Sequence, residues 1–287
     1  FVRQVVMLSY QHAYHAGNFA DVHKHLTLFA VSRYLLRKKT AITYVDTHAG
    51  RGLYSLSASE SQRLQEHRDG VAPIWQRRRG FSQPLLGEWC QALSDAQPDA
   101  AALTHYPGSP WWLSRALRKQ DTLRLYELHP GEHRHLSEQP LAGNAARIFG
   151  DGLEGLKQCL PVATPRLCVL IDPSFECKEE YQDVVEAVRF TLAKARHAIV
   201  LVWYPRLPAA HHAAMMDNLA ASGIRKIWRS ELIQRTPGAT THGMYASGML
   251  VINPPWGVDE TLSATFEEIA PLLGEQCHHR ASWLVGE

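Results

Sequence analysis

Five short apolar runs restrict this chain more than any other feature: AITYVD, LRLYEL, ARIFGD, RLCVLIDP and HAIVLVWYP. Each stops at a polar or turn-forming residue and is separated from the next by a helical stretch. Runs this rich in β-branched and aromatic residues suit buried strands, and strands alternating with helices fold into a parallel, doubly wound sheet. Two further runs, IRKIWRSELIQR and ASGMLVINPPW, are separated only by the turn-rich loop RTPGATTHGM. They read as an antiparallel pair closing one edge, which brings the expected sheet to seven strands.

The stretch 55–107 breaks the alternation. It holds QEHRDG, the basic triplet Arg77, Arg78 and Arg79, and the helical pattern GEWCQALSDA. The reading is an inserted helical subdomain over 55–107, with 7–54 and 108–287 forming the main domain. Residues 1–6 precede Met7 without any pattern and are expected to be a non-native or disordered leader. Beyond Met7, apolar spacing from Val22 to Leu36 predicts a helix capped near Asn18 and ending in a basic turn.

Composition excludes several classes of function. With 45% hydrophobic residues in 287, the chain can bury a substantial core. Its net charge is only +2, so affinity for nucleic acid must come from a local patch. The first 39 residues offer one: Arg3, Lys24, Arg33, Arg37, Lys38 and Lys39 stand against the single acid Asp21, beside His12, His15, His23 and His25. Five cysteines without a CxxC pair suggest neither a disulfide framework nor a thiolate zinc site, and fit a reducing cytoplasm. No run reaches the ~18 to 20 apolar residues of a membrane span, and no signal peptide is visible. The histidines lack metal-ligand spacing, since residues two apart on a helix face apart, and no metal is expected.

A nucleotide-type cofactor in a doubly wound fold lies across the carboxyl ends of the strands, close to the first loop, with a later acid at its ribose. DTHAGRG, around Gly50, is such a loop or a plain turn. The acid belongs ~20 residues downstream; the next strand ends at Glu127, 77 positions beyond Gly50, and the insertion accounts for the excess. Glu127 is either the ribose ligand or an exposed strand-end acid. Asp151 and Gly152 close the third strand, as an acceptor for an adenine edge or as an Asx turn.

The fourth strand ends in Asp172-Pro173-Ser174-Phe175. An exocyclic adenine amine is a poor nucleophile because its lone pair is delocalised into the ring. Acceptors that draw its hydrogens out of plane free that pair, and the Asp172 carboxylate and Pro173 carbonyl suit the task. Phe175 can stack on a base withdrawn from its helix. DPSF resembles the [DN]-P-P-[YFW] motif of amino-group methyltransferases, with Ser174 for the second proline. Asn253-Pro254-Pro255-Trp256 fits that pattern letter for letter, but it follows the last strand, whereas the fourth is expected beside the first. It is therefore read as a proline-rich edge-strand exit.

The resemblance extends to the whole chain from Met7. MLSYQHAYHAGNFADVHKH, YVDTHAGRGLY, YPGSP, YELHP, GDG, DPSFE, LVWYP and SGMLVINPPW occur in the order seen in the RlmJ (formerly YhiR) family, which methylates an adenine N6 amine of large-subunit ribosomal RNA. That resemblance implies a class I, Rossmann-like methyltransferase fold with a small helical subdomain, and S-adenosyl-L-methionine as cofactor. It carries cofactor contacts onto Lys24, His25, His48, Ser109, Glu127, Asp151 and Gly152, sets Asp172 at the reacting amine, and puts Tyr10 near the RNA. The HAGNFADVHKH stretch is expected to fold over the cofactor, with Lys24 or His25 reaching its carboxylate. Arg37, Lys38, Lys39, Arg77, Arg78 and Arg79 are the expected phosphate contacts on 23S ribosomal RNA. A cytoplasmic monomer without an obligate protein partner is expected. Two other readings remain open: a DNA adenine or protein amide methyltransferase, and a catalytically inactive RNA-binding relative. His211-His212 and His278-His279 are expected on a solvated surface.

Overall fold

The computed structural model describes residues 12–237 and 243–287; the 1–6 leader and Tyr10 lie outside the described residues. The main sheet has the order β10-β8-β9-β7-β6-β1-β4-β5. Its parallel strands are β1 (Ile42–Asp46), β4 (Thr122–Glu127), β5 (Ala145–Phe149), β6 (Arg166–Ile171) and β7 (Ile199–Arg206), the five apolar runs of the sequence. β8 (Ile227–Ile233) and β9 (Ala246–Ile252) close one edge, with β9 antiparallel to both β7 and β8.

The strand count corrects the expected seven. β10 (His278–Val285) pairs antiparallel with β8 and makes eight. Its sequence, HHRASWLV, covers little of the core and is mostly exposed or half-buried, so no apolar run announces it. His279 is not solvated as expected: its Nε2 lies 2.8 Å from Ser230 Oγ, and burial lowers its pKa to about 4. His212 is likewise packed, stacked on Tyr204 with ring centroids 5.6 Å apart.

Period-two alternation divides the core between the two faces of the sheet. Tyr44, Cys168, Leu170, Leu201, Met249 and Val251 point to one side, against α1 (Phe19–Leu35) and α10 (Val258–Ile269). Val45, Val169, Ile171, Val200, Val202, Leu250 and Ile252 point to the other, against α7 (Gly152–Cys159), α8 (Glu179–Lys194) and α9 (His212–Ala220). Asn18 caps α1 as the sequence predicts, its side chain accepting from Asp21 N. His23, fully buried, ties α1 to the closing strands through Ser247 Oγ and Ser230 Oγ, each 2.9 Å away.

The stretch 55–107 is mainly helical, with α2 (Ser59–Leu64), α3 (Val71–Gln76) and α4 (Pro84–Asp95). The chain leaves and returns at one place because β2 (Leu53–Ser55) pairs antiparallel with β3 (His105–Pro107). α5 (Ser109–Ala116) then leads into β4, and α6 (Pro130–Glu138) joins β4 to β5. Val71 N donates to Gly17 O at 2.9 Å, and a Cβ on Gly70 would sit 2.2 Å from that carbonyl. Only glycine permits this approach, which presses the helical segment against the turn before α1.

Candidate active site

The carboxyl ends of β1, β4, β5 and β6 bring Asp46, Glu127, the turn at Asp151 and Asp172 to the same end of the sheet. α1 runs against the strands and delivers Lys24 to that end. Its Nζ donates to Asp172 Oδ2 at 2.5 Å and lies 3.2 Å from Asp21 Oδ1, with the residue only 5% exposed. Burial works against the ammonium charge, but the two carboxylates overcome it and raise the pKa above the ordinary lysine value. Burial pushes Asp172 up, while Lys24 opposes that shift.

Asp21 is the residue that sequence reasoning passed over. Its buried carboxylate accepts from Gly17 N at 2.9 Å, meets His12 Nε2 at 2.9 Å, and faces Lys24. Burial disfavours its charge, yet His12 and Lys24 hold its carboxyl well below the usual range. As the lone acid of a basic stretch, three positions before Lys24, it carried a legible signal. Asp46 was also missed. It ends β1, is fully buried, hydrogen-bonds Ser109, and accepts from His48 N at 3.3 Å. Burial drives its pKa to about 7, and its Oδ2 has no partner among the described residues.

The loop after β1 turns at Gly50 and Gly52, both with positive φ, and its Gly50 amide faces Glu127. Gly50 N donates to Glu127 Oε2 at 2.8 Å and His129 N to Oε1 at 2.7 Å. Each carboxylate oxygen keeps a further acceptor site, so Glu127 retains capacity for two hydroxyls. Burial raises its pKa. Asp151 caps α7, accepting from Leu153 N and Glu154 N through Oδ1 alone. Gly152 has a close-packing reason: a Cβ there would lie 1.8 Å from Thr47 O. His48, beside this loop, is lowered to about 4 by burial. His25 hydrogen-bonds Tyr106 through Nδ1 at 2.8 Å and leaves Nε2 without a partner among the described residues; burial lowers its pKa well below the ordinary value.

Two groups of expected site residues lie apart from the strand-end cluster. The Phe175 ring is turned inward, 4.3 Å from Tyr181 and 6.1 Å from Trp203 between ring centroids, and the residue is 7% exposed. Its φ of 54° is a left-handed conformation that rarely suits an aromatic residue. In this arrangement it cannot receive a base on its face without rotating outward. Arg37, Lys38 and Lys39 are exposed but sit beyond the far end of α1, about 20 Å from Lys24 at 1.5 Å per residue. Arg77 and Arg79 are exposed at the end of α3, while Arg78 lies 4.2 Å over the Trp75 ring.

The second proline motif lies at the opposite end of the sheet from Asp172, because β9 runs against β7. Asn253 Nδ2 donates to Arg196 O at 3.0 Å and Ala198 O at 2.9 Å, which ties the turn to the start of β7.

Residues 39–285 match the family described as Ribosomal RNA large subunit methyltransferase D, RlmJ. The chain belongs to the RlmJ family. It is 36% identical to Ribosomal RNA large subunit methyltransferase J of Escherichia coli, over 98% of this chain and all of that protein. It is 35% identical to the Haemophilus influenzae protein of the same name, over 93% of each. A crystal structure of a Legionella pneumophila protein superposes with a TM-score of 0.86 at 31% identity, covering 94% of this chain and 98% of that one. Full-length coverage means that the loop at Gly50, the strand-end acids and the DPSF turn all fall within the shared fold. The DPSF serine distinguishes this chain from the [DN]-P-P-[YFW] pattern within that fold.

Proposed function

We propose that this RlmJ-family methyltransferase methylates the N6 amino group of an adenine in 23S ribosomal RNA, with Asp172 and the Pro173 carbonyl at the reacting amine. S-adenosyl-L-methionine supplies an electrophilic methyl group when bound. The residues at the strand ends suit such a molecule. Glu127 has acceptor capacity for a ribose diol, Asp151 Oδ2 is available for an adenine amine, and Lys24 is a cation for a carboxylate. Asp46 Oδ2 and His25 Nε2, without partners among the described residues, add two buried polar atoms at the same end. His48, Ser109, Gly50 and Gly152 complete the lining by shaping the loop and its close packing.

The reading rests above all on Asp172: a carboxylate only 13% exposed at the end of β6, next to β1 and its glycine loop, held by a lysine. Asp172 and the Pro173 carbonyl orient the amine hydrogens, and Asp172 offsets positive charge as the amine is alkylated. No strong base is needed, and orientation provides most of the acceleration. Phe175 rotates toward the base as the substrate enters, and Tyr10 meets it from the N-terminal segment. Arg77, Arg78 and Arg79 contact phosphates from the helical segment, and Arg37, Lys38 and Lys39 do so from the other end of the molecule. The enzyme acts as a monomer in the cytoplasm.

The test is methyl transfer from labelled S-adenosyl-L-methionine to 23S ribosomal RNA of a strain lacking the enzyme, with DNA and protein alongside. Label confined to ribosomal RNA is expected. Label in DNA or protein, or in none, would replace this reading with one of the others.

A further inference from the structure

Six strands of the main sheet begin at the end remote from Asp172, and five carry basic residues at or just before their first position. Arg37, Lys38 and Lys39 precede β1, Arg118 and Lys119 precede β4, and Arg166 opens β6. Lys194 and Arg196 precede β7, and Arg225 and Lys226 precede β8. From β8 to β4 the row crosses five strand spacings, about 24 Å at ~4.8 Å each. Hydrogen bonds make its centre continuous: the Arg118 and Arg166 guanidinium groups both donate to Lys38 O and Thr40 O. Few acids interrupt it. Asp121 is buried on Arg118, Glu287 pairs with Lys226, and Asp259 and Glu260 lie in the first turn of α10. In a chain whose net charge is only +2, such a row is segregated charge.

An aromatic residue stands in the same row. Trp256 follows β9 and is 88% exposed, unusual for so large an apolar side chain. Its turn is anchored, since Asn253 binds the start of β7 through two side-chain bonds and its N–H donates to Lys226 O. Cations that track a phosphate backbone beside an aromatic face that accepts a base are the elements of single-strand nucleic-acid binding.

We infer that this end of the sheet is a second RNA-contacting surface, gripping a ribosomal RNA segment distinct from the one carrying the target adenine, with Trp256 stacking on an unpaired base. The inference rests on the proposed ribosomal RNA substrate and adds where the rest of that RNA runs. Arg166 opens β6 and Asp172 directly follows it, six residues and about 20 Å apart, so one nucleotide cannot occupy both places.

Tethered hydroxyl-radical cleavage tests the placement. Reagent is attached through Lys39→Cys or Lys119→Cys, and separately through Glu176→Cys beside the DPSF turn, with the partly exposed Cys159 and Cys177 replaced by serine. The Glu176 probe is expected to cut 23S ribosomal RNA around the methylated adenine, and the other two to cut a different segment. Absence of cuts from the two distal probes, or cuts at the same nucleotides as the Glu176 probe, would overturn the inference and leave the substrate reading intact. No cuts from any probe would overturn both. Joint replacement of Lys38, Lys39 and Lys119 by glutamate should also lower affinity for 23S ribosomal RNA and flatten its salt dependence by about 0.7 per lost single-strand phosphate contact. All three are exposed, so the fold should survive, which circular dichroism checks. Unchanged affinity and slope would count against the surface.

Discussion

The chain carries two proline turns of nearly the same spelling, and they do opposite things. Asp172-Pro173-Ser174-Phe175 departs from the amino-methyltransferase pattern by one letter, yet it ends a parallel strand beside β1, among Lys24, Asp46 and Glu127. Asn253-Pro254-Pro255-Trp256 matches every letter but ends an antiparallel strand, so it emerges at the far end of the sheet. There Asn253 is engaged with the carbonyls of Arg196 and Ala198, at a φ of 55°. Strand direction decides which turn can do chemistry, because side chains converge on a ligand only where strand ends, loops and helix starts meet.

The sharpest break between the two turns is catalytic. Asp172→Ala should abolish methyl transfer while cofactor affinity, measured by isothermal titration, stays within a few fold. Lys24 would still have Asp21 as a partner, so the variant should fold. Next in size, protonation should separate the acids of the active end from the neutral far turn. Asp46 has its folded pKa raised to about 7 by burial, so its contribution to stability is greatest below the unfolded value near 4 and is lost as pH rises through 7. Asp46→Asn, with no charge to bury, should gain stability relative to the parent over that window, by on the order of 3 kcal/mol. Parallel melting curves for both proteins at pH 5 and pH 8 would reveal it, and a constant difference would refute the assignment.

A third expectation concerns the cofactor's other anchor. Glu127→Ala should weaken S-adenosyl-L-methionine binding by about 1.5 to 3 kcal/mol, the worth of hydrogen bonds to a charged group. Unchanged affinity would remove Glu127 from the site. The smallest effect belongs to the far turn: Asn253→Ala should cost about 1 to 2 kcal/mol of stability through two lost carbonyl partners, with kcat at saturating ribosomal RNA unchanged and any effect on the RNA confined to KM. Chemical denaturation and initial rates measured on the same sample separate the two effects.

Much of this arrangement is legible in the sequence. β1, β6 and β7 are visible because strands buried on both faces are almost continuously apolar, β4 and the edge strand β5 because short runs stand between helical stretches, and Asn18 because a cap needs its residue type. β10 was not, because an edge strand with one wet face has no apolar run to find. At the site, Glu127 and Asp172 follow from strand ends. Asp46 was missed because its importance lies in burial and in Ser109, distant along the chain, and Asp21 because only the fold shows that its neighbour Lys24 is shared with Asp172. Phe175 was assigned a face to present, but its left-handed backbone turns the ring onto Tyr181, which no spacing rule conveys. The basic triplet after α1 was placed by charge alone, whereas the direction of α1 carries it to the other end.

One measurement bears most directly on the account. Ribosomal RNA treated with labelled S-adenosyl-L-methionine and either the wild-type enzyme, Asp172→Ala or Asn253→Ala is digested to nucleosides, which are then separated. Label in N6-methyladenosine of the 23S molecule is expected with the wild type and Asn253→Ala, and none with Asp172→Ala. Label retained with Asp172→Ala and lost with a folded Asn253→Ala would contradict the account, because the reacting amine would then lie at the other end of the sheet.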